Sequence, residues 1–247
     1  MRQLGETELL RIEGLSAGYG PLVVLHGVDL TVRAGERVGI VGLNGHGKST
    51  LLRAIVGLTG WQSGSIRVNG REIGGTRSQG SGRYTHRIVR MGLALIPQGD
   101  ALFQGLTVAD HLDSGAFTSR AWRERKSRRE RVLGIFPPLG KLLGQPVGRL
   151  SGGERRMVSL ARGLMGDAKL LLIDEPSLGL APKISKSLIE ALMRIDLQDG
   201  AMVIAEQNLS MLDGKMTRMM GLHAGALKGG ATTPEMMLSD HRHQHLH

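Results

Sequence analysis

Residues 42–50, "GLNGHGKST", follow the apolar run Val38 to Val41 and lead into "LLRAIVGL". Three glycines, one lysine and two hydroxyls within nine residues form the composition of an anion cradle. Upstream, "RVGIVG" at 37–42 reads as a buried strand. Downstream, Leu51, Leu52, Ile55 and Val56 share one helical face that Gly57 can end. Strand, glycine loop and helix thus follow directly. The glycines let successive N–H groups turn inward, and the helix N-terminus adds its partial positive charge. On this reading Gly42, Asn44, Gly45, His46, Gly47, Lys48, Ser49 and Thr50 hold a nucleoside triphosphate. Lys48 reaches the terminal phosphates, Ser49 places its hydroxyl on Mg²⁺, and Thr50 bonds a phosphate nearer the sugar.

Two further segments complete a hydrolytic site. In "LLLIDEP" (170–176) an apolar strand delivers two adjacent acids at its C-terminal end, where ligands bind in parallel sheets. Asp174 is placed for the magnesium shell, and Glu175 to orient and deprotonate the attacking water. In "LSGGERRM" (150–157), Ser151, Gly152 and Gly153 precede a helix and again offer a hydroxyl, bare amides and a helix dipole to an anion. One nucleotide does not need two cradles from one chain. The economical reading is a lid over the nucleotide of another subunit, so that ATP closes a dimer.

The remaining sequence sets the frame. The 247 residues can bury a sizeable core as one large domain or two small ones. The net charge of +10 fits nucleic acid, an anionic membrane face or phosphorylated ligands, and arginines concentrate in "RAWRERKSRRERV" (120–132). A solvated helix face with Glu124 and Glu130 as pairing partners accounts for most of that run. There is no cysteine, which excludes disulfides and thiolate metal sites. Apolar runs fall far short of the roughly 20 residues that span a bilayer, and the N-terminus lacks a signal-peptide core, so the expected location is cytoplasmic.

Along the chain, 8–13 and 28–33 alternate as half-buried strands, 64–70 is a short strand between turns, and the Gly/Ser-rich 74–82 is expected as a mobile loop. Strand character returns at 91–98. A helical pattern runs from 107 to about 131, "FPPLG" (136–140) breaks it, and a helix is expected over 153–164. The strand 169–174, helix 184–195 and strand 201–206 complete an alternation that favours a parallel sheet covered by helices. In the tail, "HRHQHLH" (241–247) spaces four histidines two apart; a disordered segment or cloning remnant is favoured over a metal site.

From about Leu9 to Gly225 the segments and their order resemble the ATP-binding subunits of ABC transporters, with "LSGGE" (150–154) as the family signature. The resemblance implies an α/β P-loop NTPase fold: a mostly parallel core sheet, an antiparallel β subdomain and an inserted helical subdomain. It implies one domain over 8–238, with the catalytic core at 8–98 and 165–238 and the helical subdomain at 99–164. It places Tyr19 under the adenine ring, Gln98 where magnesium and water are sensed, and Glu154 beside Ser151 in the lid. "DEPSLGLAP" (174–182), "LFQGLTVADHL" (102–112) and "AEQNLSM" (205–211) resemble the branched-chain amino-acid uptake ATPases. There Gln207 takes the place of the usual switch histidine; its amide donates a hydrogen bond but does not titrate, which favours positioning over proton transfer.

Asp100 and Gln104 depart from that pattern, and "TRMMGLHAGALKGG" (217–230) matches the closing strand pair only loosely. His46 stands where a small residue is more usual and is expected to point outward. The implied activity is ATP hydrolysis with ATP and Mg²⁺. The implied partners are a second copy or a paralogous ATPase, permease subunits that hold the protein at the inner membrane face, and indirectly a solute-binding protein. Branched-chain amino acids, urea and short amides all remain open as solutes. Two alternatives stand beside this: a soluble ABC ATPase acting on nucleic acid or ribosomes, and a regulatory subunit that scarcely hydrolyses ATP. Intact Lys48, Asp174 and Glu175 oppose the second. Against the first, the interval 99–150 is too short for a coiled coil and the chain carries a single set of motifs.

Overall fold

The computed structural model describes residues 7–74, 78–79 and 85–229. Strands β1 (Glu8–Tyr19) and β2 (Leu22–Arg33) form an antiparallel pair. Both outrun the stretches read from alternation, because register shifts between Ile12 and Leu15 and between Leu15 and Ala17 break the period of two. After β3 (Arg37–Val41) and the glycine loop comes α1 (Lys48–Ile55). Then β4 (Trp61–Val68) pairs with β1, while β5 (Arg71–Gly74) and β6 (Ser78–Gln79) both pair with β4. Part of the expected mobile loop is therefore strand: Ser78 and Gln79 lie opposite Gln62 and Trp61. The rest of that expectation, 75–77 and 80–82, falls outside the described residues.

Helix α2 (Thr85–Arg90) leads into β7 (Leu93–Ile96). The helical pattern expected from 107 to 131 resolves into three pieces, α3 (Val108–Gly115), α4 (Ser119–Arg123) and α5 (Arg125–Ile135). Two threonines set the breaks. Thr107 caps α3 reciprocally with Asp110, and the Thr118 hydroxyl accepts from the Ala121 amide at 3.1 Å to start α4. The prolines of "FPPLG" end α5 but open a short 3-10 helix over Pro137–Lys141. Most basic side chains of the run are exposed as expected, with Arg128 the buried exception. Arg128 is buried and paired with Glu124 and Asp167, Arg129 with Asp113 and Arg120 with Glu124. Glu130, the other expected partner, makes no ion pair among the described residues.

A 3-10 turn at Val147–Arg149 precedes α6 (Gly152–Leu164) and β8 (Leu170–Asp174). Helix α7 (Pro182–Met193) starts earlier than its apolar pattern suggests, because Pro182 fits the first turn, where no amide is needed. The chain continues through β9 (Ala201–Glu206), α8 (Leu209–Leu212), β10 (Arg218–His223) and β11 (Ala226–Gly229). The last two make the antiparallel hairpin that the loosely matching C-terminal stretch left uncertain in sequence. Residues 230–238 of the expected domain and the histidine-rich tail lie outside the described residues.

The second sheet runs β11-β10-β3-β9-β8-β7, parallel apart from the β10–β11 hairpin. It divides two apolar cores. Leu170 and Leu172 of β8 with Ala201, Val203 and Ala205 of β9 face the antiparallel sheet and α1. Leu171 and Ile173 with Met202 and Ile204 face α3, α5, α6 and α7. Burial on both faces explains why these strands read as unbroken apolar runs. Among the described residues no helix is long and apolar enough to cross a membrane.

Candidate functional site

Strand register brings the separated motifs to one edge. Val41 lies opposite Glu206, Asp174 opposite Ala205, and Ile96 opposite Ile173. The loop after β3, the acids after β8, Gln98 after β7 and Gln207 after β9 therefore all leave the sheet at its C-terminal end, where parallel sheets bind ligands.

The glycine loop is tightly bent. Gly47 sits at φ +101°, a conformation that a side chain disfavours, and α1 begins there without a side-chain cap. A Cβ on Gly42 would lie 2.3 Å from the Leu222 carbonyl oxygen, so the loop can lie against β10 only as glycine. Asn44 and Gly45 are exposed at the loop mouth, and Thr50 is buried behind it. His46 does not point outward. Its Nδ1 lies 3.3 Å from the Leu222 carbonyl oxygen, and its ring meets His223 edge-on at 4.8 Å. The hairpin β10–β11, whose position sequence does not reveal, offers that ring a surface.

Lys48 is 3 % exposed, and its Nζ donates to the carbonyls of Gly42 at 2.8 Å and Leu43 at 3.1 Å. It also pairs with Glu175 Oε1 at 2.9 Å. Gln98 Nε2 donates to the other oxygen, Glu175 Oε2, at 3.2 Å. Glu175 adopts φ +41°, a strained conformation worth about 1–3 kcal/mol for a non-glycine residue, of the kind that collects at reactive sites. The Ser49 hydroxyl donates to Asp174 Oδ1 at 3.0 Å. Burial pushes the Asp174 carboxyl above the usual aspartate range; the Ser49 bond opposes the shift and nearby Glu175 adds to it. A buried carboxylate beside a hydroxyl, at the mouth of the glycine loop, is an oxygen donor set of the kind that suits Mg²⁺.

The segment read in sequence as a lid bonds within itself. Ser151 Oγ accepts from the Glu154 amide at 3.3 Å and the Ser151 backbone N–H donates to Glu154 Oε2 at 2.8 Å, closing a capping box. Ser151 and Gly152 are exposed, while Gly153 packs on α7 so closely that a Cβ would meet Ile184 at 2.8 Å. Tyr19, at the end of β1, is 36 % exposed. Gln207 is exposed, and its backbone N–H donates to Glu206 Oε2 at 3.2 Å.

Three residues here escape a motif reading. Glu206 is buried and accepts from the Ser177 amide at 2.9 Å, tying β9 to the turn after Glu175; burial raises its carboxyl pKa. Asp100, a departure from the family pattern, pairs with Arg155 of α6 at 2.8 Å. Arg156 is buried and bonds to carbonyls on both sides of Gln98 and both sides of Glu175. The acid at the end of a buried strand is a visible signal for Glu206. Nothing in the residue types signals Arg156, because its partners are main-chain oxygens.

The chain is similar to known proteins. The family described as ABC transporter matches residues 25–178. The high-affinity branched-chain amino acid transport ATP-binding protein BraG of Pseudomonas aeruginosa is 38% identical over 200 residues, covering 81% of this chain and 82% of the relative. The probable branched-chain amino acid transport ATP-binding protein LivF of Archaeoglobus fulgidus is 35% identical over 202 residues, with coverage of 81% and 82%. A solved ATP-binding subunit of an ABC transporter superposes with a TM-score of 0.72 at 29% identity, covering 96% of this chain and 93% of the other.

Proposed function

The chain belongs to the ABC transporter family as an ATP-binding, ATP-hydrolysing subunit, and from that premise we propose that it powers uptake of branched-chain amino acids or a related small solute. The solute passes through separate permease subunits, which hold this protein at the inner face of the membrane. Support for the solute class comes from the two relatives whose names state branched-chain amino acid transport. The observation that carries the hydrolytic part is the contact of one buried carboxylate, Glu175, with both Lys48 and Gln98.

The chemistry follows from those contacts. ATP enters with its triphosphate against the amides of residues 42–50, over the uncapped end of α1. Lys48 leaves Glu175 and the carbonyls of Gly42 and Leu43 for the terminal phosphate oxygens. Glu175, freed from its cation, accepts a hydrogen bond from a water that Gln98 helps to hold. The water oxygen forms a bond to the γ-phosphorus as the bond to the bridging oxygen breaks, and the water's proton passes to Glu175. ADP and phosphate are the products. Asp174 and Ser49 would hold Mg²⁺, which when bound neutralises phosphate charge. Gln207 donates its amide to the terminal phosphate, and Tyr19 stacks on the adenine. The lid residues Ser151 to Glu154 close over the nucleotide of a second copy or a paralogous ATPase, so that ATP favours the closed pair and hydrolysis releases it.

The test is co-purification with the permease subunits into lipid, followed by ATP turnover in the presence of leucine, urea or a short amide with the matching solute-binding protein. Stimulation by leucine-type solutes is expected. Stimulation by none of them, with intact basal turnover, would reject the solute class and leave the ATPase standing.

A further inference from the structure

Arg156 is 5 % exposed, yet its hydrogen bonds go to main-chain carbonyls rather than to a carboxylate. Nη1 donates to Pro97 at 2.7 Å and also to Gly99. Nη2 donates to Asp174 at 2.8 Å, and Nε to Pro176 at 3.2 Å. One planar group therefore grips residues 97 and 99 on one segment and 174 and 176 on another. The middle residues of the two triplets are Gln98 and Glu175, whose side chains meet at 3.2 Å.

We propose that Arg156 is a positioning residue for hydrolysis, whose guanidinium sets the separation of Gln98 and Glu175 and couples it to the lid. The coupling follows from the helix. Ser151 caps α6, and Arg156 lies about one and a half turns further along the same rigid element. A shift of the lid against a partner's nucleotide moves the guanidinium, and with it both triplets. Arg155 bonds to Asp100 at 2.8 Å and Arg162 to the Ala101 carbonyl at 3.1 Å, extending the grip of α6 along the segment after Gln98. Arginine is required by its geometry, since its fork of fixed donors reaches two segments at once, whereas a lysine ammonium is a single point. The inference rests on the reading of Gln98 and Glu175 as the pair that holds the attacking water.

The experiment is a double-mutant cycle on full-length protein, with kcat and KM for MgATP read for wild type, R156K, Q98A and the double variant. R156K is expected to lower kcat by about tenfold or more, with KM within about twofold, because the loss falls on the transition state and not on nucleotide binding. In the Q98A background, R156K should cost less than about a further twofold. Full turnover in R156K would overturn the proposal. An equal loss with and without Gln98 would also do so, leaving Arg156 a purely structural role. If Q98A alone leaves kcat unchanged, the reading of the water-holding pair fails first. R156Q, which keeps amide donors in less volume, runs alongside in case the lysine variant does not fold.

Discussion

Two helix N-termini that the sequence offers as anion sites are capped in opposite ways. At α1 the cap is Gly47, with no side chain to satisfy the first-turn amides, and the neighbouring lysine is buried against Glu175. At α6 the cap is Ser151, which together with Glu154 satisfies its own first turn on an exposed surface. On the proposed function, an uncapped, buried terminus offers its amides to a nucleotide held within the chain. A self-satisfied, exposed one is stable alone and must trade its own bonds when a ligand arrives from outside. On the proposed function, the difference would separate residues that bind ATP within the chain from residues that meet a partner's nucleotide.

Glu175→Gln attacks the first terminus most directly. Turnover should fall by about 10²- to 10⁴-fold as the proton acceptor is lost, measured by phosphate release. ATP binding should persist, and ATP-held dimers should accumulate on size exclusion. Unchanged turnover would remove Glu175 from its role. Lys48→Ala should weaken ATP about a hundredfold by fluorescent-nucleotide titration. It also leaves Glu175 buried without its cation, so the nucleotide-free protein should lose about 3 kcal/mol in denaturant melts.

Ser151→Ala probes the second terminus. It should cost about 1 kcal/mol of stability as a lost cap, leave ATP binding by the monomer unchanged and weaken ATP-dependent dimer formation. If monomer binding falls in step with dimerisation, the contrast between the two termini is wrong.

The smallest effect is a matter of pH. The Asp174 carboxyl is raised by burial, so the native state holds its proton to higher pH than the unfolded chain does. Ionisation of Asp174 therefore lowers stability as pH rises between the two values, and the penalty is complete above the folded one. Asp174→Asn should raise the unfolding temperature of the nucleotide-free protein by a few degrees at neutral pH, with the advantage fading toward acid, while magnesium-dependent turnover disappears. A flat difference across pH would detach the stability effect from ionisation.

How much of this was readable in the chain depended on whether the chemistry was contiguous. The cradle at 42–50 and the acids at 174–175 lie within short runs, so residue types and spacing pointed to them. The hairpin β1–β2 was half visible, because its register shifts scramble the alternation that betrays a strand. The break at Thr118 was missed because a single threonine just before a charged run is a weak cap signal until its bond to Ala121 is seen. His46 was misjudged because the β10–β11 hairpin it touches comes from the other end of the chain. Arg156 was invisible for a deeper reason: the oxygens it holds belong to the backbone, and every residue has one.

Strands β8 and β9 send alternate side chains into two different cores. They act as a party wall between the antiparallel flap and the helical lobe. Loosening either side strips packing from the same two strands, so neither lobe is expected to show a melting transition of its own. Heat should therefore take the ATP cradle and the lid apart together, in a single cooperative event.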